Sequence, residues 1–276
     1  MKRQKRLTLL GDIVGVLVTV ILFLVPFYFM FVQSIKSKKE SNALNISWPS
    51  EIHWDNYVEV FKHGNYQLLT AFKNSAILTL FTVLGLLVTA AMAGYVIQRR
   101  RDRLMNLVQS IIMLGLMIPA AILPTIHMLQ TMHIYKTMFS MVMIEIALQT
   151  PFAIMLYRGY MASIPRELEE AARIDGCNRW EIFQRIIFPL LKPIQATLII
   201  LVGVQTFNDF TNPLYFLPGK ENTTVQLTLY NYKGQLSNSY NLLFADIIII
   251  TVPMLILFLI FNKRIVDGMV AGSVKG

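Results

Sequence analysis

Polar side chains that interrupt long apolar runs are the residues of this sequence with the clearest capacity for chemistry. Glu145 and Gln149 lie within one such run at i, i+4 spacing, which places both side chains on the same face of a helix. Ionisable groups at membrane depth are energetically costly, so they are functional candidates by default. We predict that this face either lines a substrate path or hydrogen-bonds a neighbouring helix.

A second polar group lies in the later apolar run 194–217. It combines amide and carboxyl groups with an aromatic ring. Such a mixture suits a small molecule that carries hydroxyl groups, because polar groups match hydroxyls and rings supply an apolar platform. The candidates for this path are Gln205, Asn208, Asp209, Asn212 and Tyr215. The alternative is that these side chains satisfy contacts between helices.

Several other functions are disfavoured by the sequence. It contains no GxxxxGK phosphate loop, no HExxH pair and no nucleophile with a base and an orienting group, so we expect the chain neither to bind ATP nor to catalyse. We predict no metal site, since His127 and His133 have no cysteine or carboxylate beside them. The formal net charge of +9 would suit nucleic acid, but the basic residues cluster beside apolar runs, as at 2–6 and 99–103, where positive charge orients membrane proteins.

The elements that would position these residues are membrane-spanning helices. Hydrophobic residues make up 55% of the chain and charged residues only 15%, against about 25% in soluble domains. Six apolar segments are long enough to cross about 30 Å of hydrocarbon as helices. They are Leu9 to Val32, Ala76 to Ile97, Leu104 to Leu129, Met138 to Tyr157, Ile194 to Leu217 and Leu242 to Phe261. We predict an all-α integral membrane protein with six transmembrane helices.

The orientation follows from the positively charged residues. With both termini inside, 17 of the 25 Lys and Arg residues fall on the inner face and 8 on the outer, as the positive-inside rule requires. We therefore predict an N-in, C-in topology in a single transmembrane domain, residues 1–276. External loops would cover about 36–73 and 218–241, and cytoplasmic segments about 158–193 and 262–276. Pro119, Pro124 and Pro151 should kink helices.

The segment 158–193, between the fourth and fifth predicted spans, has the pattern of a helical hairpin. Ser163 is a plausible N-cap, and Pro165 suits a first helical turn. Gly176 is the residue type that leaves a helix in a left-handed conformation. Apolar residues then recur at helical spacing until Pro189 and Pro193, which should end the second helix.

The full spacing of this segment resembles the EAA loop of ABC-importer permeases. Glu170-Ala171-Ala172 is followed by three residues, Gly176, nine residues and Ile186-Ile187-Phe188-Pro189, where Phe188 replaces the usual leucine. The resemblance extends over nearly the whole chain to the carbohydrate branch, the maltose-type, MalG-like permeases. The stretches concerned are Asn74-Ser75, Met117-Ile118-Pro119, Ile174-Asp175-Gly176, Phe207-Asn208-Asp209-Phe210 and the tail Gly272-Ser273-Val274-Lys275-Gly276.

The resemblance implies a coupling role for the hairpin. Glu170 would pair with a basic residue of a cytoplasmic ATPase subunit, Ala171 and Ala172 would lie against the wall of its cleft, Gly176 would make the turn, and Pro189 would close the motif. The implied partners are a homologous second permease, two ATPase subunits and an external sugar-binding protein. ATP and magnesium would bind to the ATPase subunits and no cofactor to this chain. The implied location is the bacterial plasma (inner) membrane.

Other functions remain open at this stage. An ABC permease for a different solute class is the nearest alternative, because the EAA loop is widely shared. A proton-coupled secondary transporter could use Glu145 and Asp209 as a relay, but such transporters usually show paired internal repeats. A membrane enzyme or a structural subunit would be distinguished by whether sugar uptake survives deletion of this chain.

Overall fold

The computed structural model describes residues 12–100, 102–233 and 238–273, with side chains up to residue 260 except residue 257. Five sequence predictions fall wholly or partly outside these residues. They are the basic cluster 2–6, the beginning of the first predicted span, Arg101 of the second basic cluster, part of the predicted external loop 218–241, and the end of the tail.

The described residues form helices, and their only strand-like pairing is one bridge between Lys233 and Asn238. The all-α prediction is therefore confirmed for this part of the chain. The helices are α1 (Asp12–Ser34), α2 (Lys38–Ser41), α3 (Asp55–Arg99), α4 (Arg103–Gly115), α5 (Ile122–Thr131), α6 (Met138–Met161), α7 (Glu167–Ile174), α8 (Arg179–Leu190), α9 (Lys192–Phe207), α10 (Thr211–Phe216), α11 (Val225–Thr228) and α12 (Tyr240–Ser273). Short 3-10 turns cover Lys220–Asn222 and Leu229–Tyr232.

Four described helices are long and apolar enough to cross a membrane: α1, α3, α6 and the part of α12 that ends at Ile260. They correspond to the first, second, fourth and sixth predicted spans. The pair α8 and α9, bent by 70° between Leu190 and Lys192, adds a fifth if it is counted as one span. Helix α4 is apolar but shorter.

Two predicted spans are wrong as continuous helices. The third divides into α4 and α5 around residues 116–121, which include Pro119. Pro119 therefore interrupts the helix instead of merely bending it, whereas Pro151 lies inside the continuous helix α6. The fifth divides into α9 and α10 at residues 208–210. Hydropathy missed both breaks because the residues around them are apolar enough to continue the run.

The predicted external loop 36–73 is helical in its second half. Helix α3 begins at Asp55, and only residues 63–66 depart from helical geometry, with φ values of +57° at Gly64 and Asn65 and +62° at Tyr66. Left-handed backbone of this kind suits glycine and asparagine. The first turns of α3 are too polar to be recognised as part of an apolar span, so the sequence predicted a loop there.

The described residues form two compact units. One contains 12–69, 227–233 and 238–253, and the other contains 70–100, 102–226 and 254–273. In the first unit a buried cation fixes the segment after α1. The Nζ of Lys36 donates to the backbone oxygen and to Oδ1 of Asn45, both at 2.8 Å, and Gln33 Nε2 donates to the same backbone oxygen at 2.6 Å. Burial lowers the pKa of Lys36, and the nearby Glu40 carboxylate opposes that shift.

The second unit has a core formed by α3, α6, α7, α8 and α9. Helix α3 approaches α6 closely at Gly94, where an added Cβ would lie 3.1 Å from Cβ of Tyr157. Tyr157 is fully buried, and its hydroxyl donates to the backbone oxygen of Leu87 at 3.3 Å. The absence of a side chain at Gly94 therefore sets the distance between α3 and α6, the helix that bears Glu145.

We expect Gly94→Leu to destabilise the second unit by about 1–3 kcal/mol, because the added side chain meets a fully packed tyrosine. Gly159→Leu is the matched control, since Gly159 lies on α6 with open space around its Cα. The measurement is thermal unfolding of the purified protein in detergent. Equal melting temperatures for the two variants would contradict the close approach.

Candidate functional site

The break between α9 and α10 brings polar groups together. After Phe207 the chain turns at Asn208, and α10 begins at Thr211. The Asp209 carboxylate accepts hydrogen bonds from the backbone N–H groups of Thr211 at 2.9 Å and Asn212 at 3.2 Å. Asp209 thereby satisfies donors that have no partner within a new helix.

Glu145 and Gln149 lie on one face of α6, as their spacing predicted. Glu145 is 2% exposed, and its Oε2 accepts from Gln149 Nε2 at 2.9 Å. The same Gln149 nitrogen donates to Thr206 Oγ1 of α9 at 2.8 Å. Gln149 therefore bonds a neighbouring helix, as one of the two interpretations predicted, and it also borders a cavity.

Asn212 connects the two carboxyl groups. Its Nδ2 donates to Glu145 Oε1 at 3.1 Å and to Asp209 Oδ2 at 2.6 Å. One amide of α10 thus joins the acid of α6 to the acid at the end of α9. A buried polar group is costly unless it is hydrogen-bonded, so this bridge allows two acids to lie close together.

These groups line a cavity of about 410 Å³, within the range of about 300–1,000 Å³ typical of small-molecule sites. Its lining is Glu145, Leu148, Gln149, Gln205, Asn208, Asp209, Phe210, Thr211 and Asn212. Gln149 Oε1 is buried and accepts no hydrogen bond from the described residues, which is a costly state for a polar atom. The wall is mainly polar with one aromatic ring.

Six of the seven predicted path residues line this cavity, and Tyr215 does not. Tyr215 is exposed, and its backbone oxygen accepts from the hydroxyl of Tyr135 at 2.9 Å. Three lining residues, Leu148, Phe210 and Thr211, were not predicted, and neither was Thr206, which bonds Gln149. The positions of Leu148 beside Gln149 and of Phe210 and Thr211 beside Asp209 were the available signal, since the helix break at 208–210 is not visible in hydropathy.

The second candidate region is the α7–α8 hairpin, residues 167–190, and its turn forms where the sequence predicted it. Gly176 has φ of +86°, and its N–H donates to the oxygen of Arg173 at 3.1 Å. The N–H of Cys177 donates to the oxygen of Ala172 at 2.9 Å. This pair of bonds is the Schellman motif, which ends a helix with a left-handed residue.

A capping box begins α8 directly after that turn. Asn178 Oδ1 accepts from the N–H groups of Trp180 and Glu181, both at 3.0 Å, and Glu181 Oε2 accepts from the N–H of Asn178 at 2.9 Å. Both ends of the turn are therefore hydrogen-bonded within the hairpin. The hairpin should move as one piece.

The helix start was predicted at the wrong place. Helix α7 begins at Glu167, and Ser163 does not cap it, because the Ser163 hydroxyl donates to the oxygen of Tyr160 in the turn that ends α6. Pro165 lies just before the helix and not in its first turn. Helix α8 ends at Leu190, one residue beyond Pro189. A π-helical turn at Phe183–Ile187 precedes this proline, which has no N–H to donate.

The residues of the Glu-Ala-Ala pattern face different surroundings. Glu170, Ala171 and Gly176 are exposed, whereas Ala172 is 5% exposed and packs into the core of this chain. Ile174 near the tip of α7 is 87% exposed, which is unusual for a large apolar side chain. The hairpin thus has one side fixed to the body of the unit and one side free.

Comparison with known proteins identifies the family. Residues 83–270, more than half of the chain, match the family of binding-protein-dependent transport system inner membrane components. This range includes the cavity and the α7–α8 hairpin. The chain belongs to this family of ABC-importer permeases, as the Glu-Ala-Ala spacing predicted, and it is a multi-pass membrane protein.

Individual relatives cover the whole chain. The melibiose/raffinose/stachyose import permease protein MelC of Bacillus subtilis (strain 168) is 32% identical and covers 100% of this chain and 98% of its own length. The multiple sugar-binding transport system permease protein MsmG of Streptococcus mutans is also 32% identical and covers 100% of both chains. A solved bacterial ABC transporter involved in alginate import matches 95% of this chain and 97% of its own at a TM-score of 0.81 and 23% identity, which supports the fold.

We expect Asn212→Ala to lower the free energy of unfolding by about 1–3 kcal/mol, because Glu145 and Asp209 both lose a hydrogen-bond donor. Gln205→Ala is the control, since Gln205 lines the same cavity with an exposed side chain. Thermal unfolding in detergent compares the two variants. A loss no larger for Asn212→Ala than for Gln205→Ala would show that the amide bridge does not stabilise the fold.

Proposed function

We propose that this chain is a permease subunit of a bacterial ABC importer for a sugar or oligosaccharide, located in the plasma membrane. The observation that supports this most strongly is the α7–α8 hairpin, a rigid turn with an exposed Glu170 within the matched family region. The sugar assignment is supported by the names of the full-length relatives, which transport melibiose, raffinose and stachyose or multiple sugars.

The proposed topology has six passages with both termini in the cytoplasm. The broken pair α4 and α5 forms the third passage, and α9 with α10 forms the fifth. The excess of Lys and Arg on the face that would include the α7–α8 hairpin supports this orientation. Helix interruptions at membrane depth are compatible with spanning where they line a polar cavity, and the break at 208–210 does so.

The proposed energy source is ATP hydrolysis by two cytoplasmic ATPase subunits, which would bind ATP and magnesium, while this chain performs no catalysis. A homologous second permease would supply the other half of the path, and an external binding protein would deliver the sugar. Glu170, Ala171 and Ile174 form the exposed side of α7 that would enter a cleft on an ATPase subunit. Closure of the ATPases would move the hairpin and switch the access of the cavity.

The proposed role of the cavity is to form part of the sugar path. Sugar hydroxyls can donate to the carboxyl oxygens of Glu145 and Asp209, and the ring of Phe210 offers an apolar face. None of the residues that line the cavity is Lys or Arg, so the wall suits a neutral sugar better than an anionic one. Neutralising both acids with retained uptake would exclude a proton relay through them.

We expect Glu170→Ala to abolish co-purification of the ATPase subunits while the protein still inserts in the membrane. Loss of one partner of an interfacial charge pair costs about 2–5 kcal/mol, which is at least roughly thirtyfold in affinity. Gly176→Pro should act in the same way, because proline cannot adopt the φ of +86° at this turn. The measurements are ATP-dependent uptake of labelled melibiose and quantification of bound ATPase.

Glu51→Ala is the matched control, since Glu51 is exposed and lies on the face predicted to be external. It should leave ATPase association unchanged. If Glu170→Ala also retains the ATPase subunits and uptake, the hairpin is an ordinary surface and the proposed coupling is refuted.

A further inference from the structure

Glu169 precedes Glu170 on α7 but faces the opposite way. Its neighbours Leu168 and Glu170 are exposed, whereas Glu169 is 4% exposed. Its carboxylate is held by two side chains of α3. Arg99 Nε donates to Oε1 at 2.5 Å, and the Tyr95 hydroxyl donates to Oε2 at 2.8 Å.

Arg99 makes a further bond to the segment that leads into the hairpin. Its Nη2 donates to the backbone oxygen of Ile164 at 3.2 Å. The side chains of Arg99 and Glu169 are only 13% and 5% exposed, so this ion pair is largely removed from solvent. Tyr95 and Arg99 are four residues apart and therefore lie on one face of the last turns of α3.

Apolar packing surrounds these polar bonds. The ring of Tyr95 lies 5.5 Å from that of Phe183 on α8, and Phe183 in turn lies 5.8 Å from Phe188. Ala172 of α7 and Ile182 of α8 are buried in the same core cluster. Both helices of the hairpin are thus fixed to the end of α3.

We propose, on the basis of the proposed coupling function, that Glu169, Arg99 and Tyr95 form a rigid contact through which movement of the α7–α8 hairpin displaces α3. We call this three-residue contact the joint. The three are positioning residues, because they act through the hairpin and touch neither ATPase nor sugar. Helix α3 is not adjacent to the hairpin in sequence, so its end can follow the hairpin only through noncovalent contacts. The joint supplies three directed hydrogen bonds, of which the one between Arg99 and Glu169 is also a buried ion pair.

The covalent connections of the hairpin to α6 and α9 are less suited to transmitting its movement. A turn at residues 162–166 separates α6 from α7, and a 70° bend separates α8 from α9. Such bends can absorb a displacement. The joint cannot absorb a displacement by lengthening, because separating Arg99 from Glu169 would leave a buried charge unpaired. Helix α3 must therefore move with the hairpin.

The movement then has a direct route to the cavity. Helix α3 lies against α6 at Gly94 and also at Gly85, where an added Cβ would collide with the side chain of Ile146. Ile146 directly follows Glu145, which lines the cavity. Displacement of α3 is therefore transmitted to the helix that bears the acid of the cavity.

The test measures whether α3 and the hairpin move together in the complete importer. Spin labels on Val88→Cys of α3 and Arg173→Cys of α7, in a Cys177→Ser background, report one distance in the assembled complex without nucleotide and with ATP and vanadate. Val88 and Arg173 are both exposed, so labels can be attached there. In the wild-type background we expect the distance between the two labels to be the same in both nucleotide states, because the joint holds α3 and α7 together.

Glu169→Gln removes the ion pair with little change in shape, and Tyr95→Phe removes one hydrogen bond. In both variants we expect the distance to change on addition of ATP and vanadate, and melibiose uptake per ATP hydrolysed to fall, by about tenfold for Glu169→Gln. ATPase subunits should remain bound. Glu167→Gln, an exposed acid on the same helix, is the matched control and should behave as wild type.

A distance that changes in the wild-type background, or that stays constant in Glu169→Gln, would overturn the joint. Failure of both joint variants to assemble would also overturn it, because Glu169 and Tyr95 would then be required for folding alone. Failure of the proposed function is distinguishable, since in that case the ATPase subunits would not co-purify with the wild-type chain.

Discussion

Backbone N–H and C=O groups that are removed from water must be hydrogen-bonded within the protein, and this constraint decides what a break between two helices requires. The break at residues 208–210 meets it with Asp209, whose carboxylate accepts from the first N–H groups of α10. Asn212, placed by that helix start, then bridges Asp209 and Glu145. The need of the backbone N–H groups at this break for hydrogen-bond partners thus brings together the polar side chains that line the cavity.

The α7–α8 hairpin meets a different requirement, since it must be rigid within itself and attached to the rest of its unit. Its turn is closed by a Schellman motif at Gly176 and a capping box at Asn178. Two adjacent acids then face opposite ways, Glu170 outward and Glu169 toward Arg99. One helix turn therefore has an exposed acid on one side and, on the other, a buried acid that is paired with the body of the chain.

The sequence predicted those features that depend on local spacing. Gly176 identified the turn because a left-handed residue is needed there, and the i, i+4 spacing placed Glu145 and Gln149 on one face. Four long spans were also predicted, because unbroken apolar runs of that length form helices in a membrane.

The features that were missed depend on contacts distant in sequence. The breaks at 116–121 and 208–210 lie within apolar runs, and the polar start of α3 resembles a loop. Periodicity could not distinguish Glu169 from Glu170, because the partners of Glu169 are about 70 residues earlier in the chain. Ala172 likewise carries no local sign that it is buried in the core of its own chain.

The central claim is that the exposed side of the α7–α8 hairpin contacts an ATPase subunit, and site-directed crosslinking tests it most directly. A thiol at Ala171→Cys, in a Cys177→Ser background, would be treated with a short bifunctional thiol reagent in membranes that contain the complete importer. We expect a covalent product with an ATPase subunit from Ala171→Cys and none from Glu51→Cys. No ATPase product from Ala171→Cys, in membranes where the ATPase subunits are bound, would contradict the account.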